Sequence, residues 1–214
     1  MRWNHKIAYA IGLITTDGNL SPDGRHISLT STDAQLLETF SKCLKITNKI
    51  SPNTPGSLSK KPAYRIQFGD VKLYKELVKI GLTKDKSLTL GSLNVPHKYF
   101  PDFLRGHLDG DGSIIQYTDV YLSHINAKYI YDRLFIYFMS ASLNHLKWLQ
   151  NTIQSSIKIK GSISSGIPKS QVGKNPLFRL KFSTKEAKIL LKWIYYQKNL
   201  PCLKRKYDVA RKYL

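Results

Sequence analysis

Apolar residues recur at Ile7, Ala8, Ile11 and Ile14, so residues 5–17 are predicted as a helix with Asn4 as its N-cap. From His26 to Thr32 apolar and polar positions alternate as in a half-buried strand, and Asp33 is placed to cap a helix through Leu44. Lys49 to Ser51 and Ala63 to Phe68 read as two more strands, separated by a Pro/Ser/Gly-rich loop from Ser51 to Pro62. Val71 to Ile80 is helical and Gly81 stops it. The pattern then starts again: helix 102–111, strands near 113–121 and 132–140, helix 143–155, strands near 157–163 and 176–183, helix 184–197. A short basic helix over about 203–213 closes the chain. Each half reads α-β-β-α-β-β-α, which predicts an α+β fold of two similar units, 1–94 and 95–214. The connection from Ser87 to Pro101 is too short and too apolar for a free linker, so the halves are expected to pack as one unit.

The repetition extends to the residues themselves. Ile11-Gly12-Leu13-Ile14-Thr15-Thr16-Asp17-Gly18-Asn19-Leu20 returns as Arg105-Gly106-His107-Leu108-Asp109-Gly110-Asp111-Gly112-Ser113-Ile114, with Asp111 standing 94 residues after Asp17. Leu29-Thr30-Ser31-Thr32 corresponds to Phe138-Met139-Ser140-Ala141, and Pro62 to Phe68 corresponds to Pro176 to Phe182. Lys84-Asp85-Lys86-Ser87 answers Lys204-Arg205-Lys206-Tyr207. The four matches keep their order, and their growing separation implies longer loops in the second half.

Charge narrows the partners. Thirty-four Lys and Arg against fourteen Asp and Glu give a formal net charge of +20. A domain so basic repels itself unless a polyanion shares its surface, and nucleic acid rewards dispersed cations through counterion release. Cys43 and Cys202 lie far apart and form no CxxC pair, which argues against a disulfide framework or a zinc site. The six histidines show no metal-binding spacing, and Trp3, Trp148 and Trp193 are read as core residues on helical faces. Mean hydropathy is −0.31 and apolar runs fall short of a membrane span, so no membrane partner is expected. The basic N-terminus is followed by no apolar run of signal-peptide length, so an intracellular location is expected: cytoplasm or nucleoid, or an organelle that encodes it.

The repeated segment carries the chemistry. Gly12 and Thr16, like Gly106 and Gly110, are small residues four apart on one helix face. Glycine inside a helix costs about 1 kcal/mol relative to alanine, so a close crossing of the two helices is the expected reason for it. The crossing would set Asp17 and Asp111 side by side in the last helical turns, each followed by a glycine suited to a left-handed cap. A carboxylate there faces the negative end of the helix dipole. A hard divalent cation with oxygen ligands, magnesium above all, would resolve the conflict and serve phosphodiester hydrolysis. Asp109 to Ser113 mimics the start of an EF-hand, but Ile114 and Val120 stand where that loop needs Gly and Glu, so calcium of that kind is rejected.

Ala10 to Gly18 and Leu104 to Gly112 resemble two copies of the LAGLIDADG motif, and nearly the whole chain is similar to the single-chain LAGLIDADG homing endonucleases. The resemblance implies a pseudo-twofold pair of αββαββα halves whose antiparallel sheets form a saddle over duplex DNA, with helices packed on the back. It implies a monomeric, intron-encoded enzyme that makes metal-dependent double-strand breaks with 3′ overhangs. Carried over, Asp17 and Asp111 are the metal-binding acids, and the carbonyls of Thr16 and Gly110 are backbone ligands. Lys86 and Lys206 polarise the scissile phosphate or the attacking water, with Lys84 and Lys204 as the alternative register. The water-organising position falls at Ser31 and Ser140. The implied cofactor is Mg2+, with Mn2+ substituting and Ca2+ supporting binding without cleavage. Thr15 stands where the motif has its earlier acid, which is not the metal ligand, and Asp109 is read as a local hydrogen-bond or charge partner.

A strand on such a saddle turns alternate side chains to the major groove. The candidates are Arg25, Ser28, Thr30, Arg65 and Gln67 in the first half, and Tyr117, Arg133, Arg179 and Lys181 in the second, some of which alternation turns inward. Lys158-Ile159-Lys160, as strand, and Lys169 to Lys174, as loop, are read as phosphate contacts that position the complex without specifying sequence. Two other functions fit the same fold: an RNA-splicing maturase whose partner is intron RNA, and a DNA-binding regulator that does not cut.

Overall fold

The structure, a computed structural model, describes residues 1–53, 62–84, 86–121, 125–126, 128–166 and 177–214. Lys169 to Lys174 and Asp85 lie outside the described residues. Helix α1 (His5–Asp17) begins where Asn4, in extended conformation, accepts hydrogen bonds from the amides of Lys6 and Ile7. Strands β1 (Gly18–Leu20) and β2 (His26–Ser31), helix α2 (Ala34–Leu44), strands β3 (Ser51–Asn53) and β4 (Ala63–Gly69) and helix α3 (Val71–Lys79) complete the first unit. A single helical turn, α4 (Lys86–Thr89), follows. The second unit repeats the order: α5 (Phe100–Gly110), β5 (Ser113–Asp119), β6 (Tyr131–Ser140), α6 (Leu143–Ile157), β7 (Ser162–Gly166), β8 (Leu177–Ser183), α7 (Thr184–Ile194) and α8 (Lys204–Ala210).

The predicted αββαββα order therefore holds in both halves, in an α+β fold. Each half builds a four-stranded antiparallel sheet of the same topology, β1-β2-β4-β3 and β5-β6-β8-β7. One face of each sheet is sealed by helices: Ile27, Leu29, Ile66 and Phe68 in the first, Leu134, Ile136, Phe138, Leu180 and Phe182 in the second. The alternate residues face away from the helices.

Several local expectations are corrected. The short strand β1 adds to the expected strands, its three residues being too few to carry a periodicity. The third strand lies at Ser51–Asn53 and not at Lys49–Ser51. Lys158 is the left-handed C-cap of α6 (φ 59) and Ile159 is buried, so Lys158 to Lys160 form a turn and not a strand. Asp33 precedes α2 but makes no side-chain cap; its carboxylate binds Arg205 instead. Trp3 lies before α1 and stacks on Tyr99 rather than occupying a helical face.

Helices α1 and α5 run through the middle of the molecule, buried from Ala8 to Thr15 and from Phe100 to Asp109. Their backbones touch. A Cβ added at Gly12 would lie 2.1 Å from the Phe103 carbonyl oxygen, and one at Gly106 would lie 2.1 Å from that of Tyr9. The glycines after the aspartates serve proximity too. Gly18 is extended (φ −82, ψ 159), and Gly112 is not among the positive-φ residues, so neither is the left-handed cap expected. A Cβ at Gly18 would sit 2.6 Å from the Ile14 Cα, and one at Gly112 would sit 2.7 Å from the Leu108 carbonyl oxygen. The connection between the halves is held: Ser142 Oγ donates to the Leu90 carbonyl, His145 Nδ1 to that of Gly91, and the Asn94 amide to that of Ile80.

Gly12→Ala and Gly106→Ala are each expected to lower the free energy of unfolding by about 3 kcal/mol, because backbone cannot give way as a side chain can. Gly91→Ala, where the new methyl meets open space, should stay within about 0.5 kcal/mol of the parent. Urea denaturation of the three variants checks this, and a Gly12→Ala protein as stable as Gly91→Ala would contradict it.

Candidate functional site at the paired helix ends

The crossing delivers the C-terminal ends of α1 and α5 to one place, carrying Asp17 and Asp111. A helix end leaves carbonyls without intrahelical donors, and here two such ends meet. Each half answers with its own lysine. Lys86 Nζ donates to the carbonyls of Ile14, Thr15 and Thr16 at 2.7, 2.8 and 2.9 Å. Lys206 Nζ donates to those of Leu108, Asp109, Gly110 and Gly112 at 2.6, 2.8, 3.3 and 2.7 Å. Both lysines are buried, whereas Lys84 and Lys204 are exposed.

Two cavities flank the crossing, related by the internal repeat. One, of about 380 Å³, joins Asp111 and Ser140 of the second half to Thr15, Thr16 and Lys86 of the first. The other, of about 290 Å³, joins Asp17 and Ser31 of the first half to Asp109 and Gly110 of the second. Each therefore combines the acid and serine of one half with the helix end of the other. The serines' Oγ atoms accept from the amides of Asp33 and Ser142, which fixes them at the cavity walls.

The carboxylates are under electrostatic pressure. Asp17 is pushed up to about 7, first by burial and then by the Asp111 charge, against the pull of Lys86 and Lys206. Asp111 reaches solvent at the mouth of its cavity, yet the protein crowding it raises its pKa too, against the same lysines. Burial lowers Lys86 and Lys206 to about 8, against the attraction of the acids, so both remain cationic at neutral pH. A divalent cation fits this donor set. Two repelling carboxylates would be relieved by it, and the Thr16 and Gly110 carbonyls each keep a second lone pair beside the lysine bond. Among the described residues no group of three His, Cys, Asp or Glu forms a closed cage. A cation held there would take its remaining ligands from outside these residues.

Other polar groups anchor this region. Asp109 is a structural partner, as expected, its Oδ2 accepting from Tyr9 Oη at 2.8 Å and the Leu203 amide at 2.7 Å. Arg105 is fully buried and donates to Asp102, to the Ile194 carbonyl and to the Pro201 carbonyl at 2.7, 2.6 and 2.8 Å. Arg105 and Asp109 thus fix the segment that leads into Lys206. His107, which lines the Asp111 cavity, meets His145 at 3.0 Å between Nε2 atoms. Since His145 donates from Nδ1, its Nε2 accepts from His107. Burial holds both rings neutral, His145 at about 4 and His107 well below the ordinary range. The charge i,i+3 spacing of Asp102 and Arg105 was the one signal that could have flagged that pair.

The sheet faces away from the helices hold most of the expected nucleic-acid contacts. Gln67 is exposed, Thr30 lines the Asp17 cavity, and Arg25 folds over Gly69. Ser28 is buried beneath Arg65, whose Nη2 donates to its hydroxyl at 3.1 Å. In the second half Tyr117 is exposed, and Arg133 pairs with Asp119 at 3.0 Å. Arg179 lies over the Tyr137 ring and Lys181 over that of Phe135.

No family model matches the chain, and no curated protein sequence matches it. Solved structures do. The I-LtrWI LAGLIDADG homing endonuclease bound to target DNA is similar over 97% of this chain and 89% of its own, at 14% identity and TM-score 0.58. Meganuclease I-SmaMI bound to uncleaveable DNA is similar over 98% of this chain and 90% of its own, at 13% identity and TM-score 0.61. Full-length DUF199/WhiA from Thermatoga maritima is similar over 99% of this chain and 62% of its own, at 16% identity and TM-score 0.56. The fold is thus that of the two-motif LAGLIDADG proteins. No helix among the described residues is long and apolar enough to cross a membrane.

A carboxyl whose pKa rises on folding holds its proton more tightly in the folded state. The stability it contributes is complete below about 4 and is lost as pH climbs through about 7. Asp17→Asn removes that loss. The metal-free variant should therefore melt with the parent near pH 4 and several degrees above it at pH 8. A melting difference that does not change with pH would contradict the assigned shift.

Proposed function

We propose that the protein is a site-specific endonuclease that cuts both strands of a long duplex DNA target by metal-dependent hydrolysis, leaving 3′ overhangs. The observation that carries this reading is the pair of repeat-related cavities, each joining one aspartate to the helix end of the other half. A double-strand cut needs two such centres, and a formal charge of +20 supplies the attraction to the substrate. The likeness to DNA-bound endonucleases supports the same reading.

In this mechanism Asp17 and Asp111, with the carbonyls of Thr16 and Gly110, would hold Mg2+; Mn2+ would substitute, and Ca2+ would support binding without cutting. Bound there, the cation would stabilise negative charge developing on the phosphate oxygens. Lys86 and Lys206 hold the helix-end carbonyls in place and add positive charge beside the scissile phosphates. Ser31 and Ser140 offer hydroxyls that orient water at the cavity walls. The sheet faces carry the duplex, and a single chain suffices because it contains both halves. The likeness to WhiA favours one second reading, a DNA-binding protein that does not cut.

A random duplex library, incubated with the protein in magnesium beside the Asp17→Asn/Asp111→Asn variant, separates these. The endonuclease yields new staggered ends around one long motif, slowed by on the order of a thousandfold or more in the variant. Equal cutting by parent and variant would overturn the site assignment. Selection of a duplex motif without new ends would favour the regulator, and retention of structured RNA alone would favour an intron maturase.

A further inference from the structure

The outward faces of the two sheets are equivalent by topology and differ in chemistry along β2 and its counterpart β6. On β2 and β4 the outward pairs are Ser28 with Gln67 and Thr30 with Arg65, all hydrogen-bonding side chains. The equivalent pairs on β6 and β8 are Tyr137 with Lys181 and Met139 with Arg179, so β8 keeps cations where β4 has Arg65 and Gln67, while β6 turns apolar where β2 is polar and continues that surface onto β5. Ile115 and Tyr117 are 44% and 49% exposed, and Ile115 faces Phe135 across the strands. Ring centroids of Tyr117 and Phe135 are 6.1 Å apart, and those of Phe135 and Tyr137 are also 6.1 Å apart. The result is one continuous stripe. Cations border it: Lys181 Nζ lies 4.2 Å from the Phe135 centroid, and the Arg179 guanidinium 5.2 Å from that of Tyr137.

An apolar stripe edged by cations suits a polyanion that presents apolar groups between its phosphates. In the major groove of duplex DNA the thymine C5-methyl is that group. Guanine and cytosine present acceptors and a donor there, and Ile115 and Phe135 have nothing to offer them, so a G·C pair against the stripe would lose hydrogen bonds to water without replacement.

We propose that the C-terminal half selects a thymine-rich half-site by packing Ile115, Phe135 and Tyr137 against C5-methyl groups, while the N-terminal half reads hydrogen-bonding edges through Arg65 and Gln67. This rests on the reading that the outward sheet faces bind duplex DNA. Strand β6 leaves the Asp111 cavity at Ser140. At about 3.3 Å per residue, Tyr137 and Phe135 lie roughly 10 and 17 Å further out. At about 3.4 Å per base pair, the thymines stand about three to five pairs from the centre of the target.

The test starts from a duplex site selected by binding in calcium. Each thymine is then replaced by deoxyuridine, which pairs identically and lacks only the methyl. In the half-site covered by the C-terminal half, affinity should fall roughly fourfold per methyl removed; in the other half-site it should not change. Arg65→Ala identifies the half-sites by relaxing selection only on the N-terminal side. Phe135→Asn should shrink the difference between the thymine and uracil duplexes, and adding Ile115→Asn should shrink it further. A selected and bound site at which deoxyuridine changes nothing, or whose C-terminal half is G·C-rich, overturns the proposal and leaves the endonuclease reading standing. Failure to select any duplex takes both down.

Discussion

The structure depends on one contact, the touching of two helix backbones at Gly12 and Gly106. Neither position has room for a methyl group. Because the helices meet so closely, their C-terminal ends arrive together, and with them two carboxylates and two sets of unpaired carbonyls. That arrangement is unfavourable on its own. The chain tolerates it by burying one lysine at each helix end, where the ammonium satisfies three or four carbonyls at once. The lysines' own desolvation shows in their lowered pKa, and the carboxylates' strain shows in Asp17. Perturbed pKa values of this kind cluster at functional sites.

The rest of the molecule serves to hold that centre. Arg105 and Asp109 anchor the residues before α8, so Lys206 enters from a fixed direction. Gln35 accepts from the Lys204 amide, and Asp33 pairs with Arg205, so the first half clasps the element that carries the second half's lysine. The two halves share a topology and the aspartate, serine and lysine of the site, and differ in what surrounds them. The Asp17 cavity carries the Asp33–Arg205 pair, whereas the Asp111 cavity is lined by Leu90, His107, Met139 and Leu177. Fusion of two copies in one chain permits this divergence, since neither half must match a symmetric partner.

Much of this was legible in the sequence. The repeat, the αββαββα order and the glycine crossing all follow from patterns that pack the same way wherever they occur. Lys86 and Lys206 were visible because a motif placed them. Their orientation, turned inward on the helix-end carbonyls, was not, since only the tertiary meeting of α4 with α1 and of α8 with α5 creates it. A glycine after a helix suggests a left-handed cap, but at Gly18 and Gly112 close approach to Ile14 and Leu108 is the actual demand. The His107–His145 and Tyr9–Asp109 contacts join residues 38 and 100 positions apart, a separation that periodicity cannot bridge. Of the aromatic stripe only Tyr117 stands out in the sequence, because the register that aligns Ile115 with Phe135 is a property of the sheet.

The central claim is that the crossing sets the Asp111 charge against the buried Asp17 carboxyl. Titration of the Asp17 carboxyl by carbon-detected NMR, in the metal-free parent and in Asp111→Asn, measures that effect. The account predicts an Asp17 midpoint of about 7 in the parent and a lower one in the variant, where burial still acts but the neighbouring charge is gone. A midpoint near the ordinary carboxylate value in both proteins would contradict it.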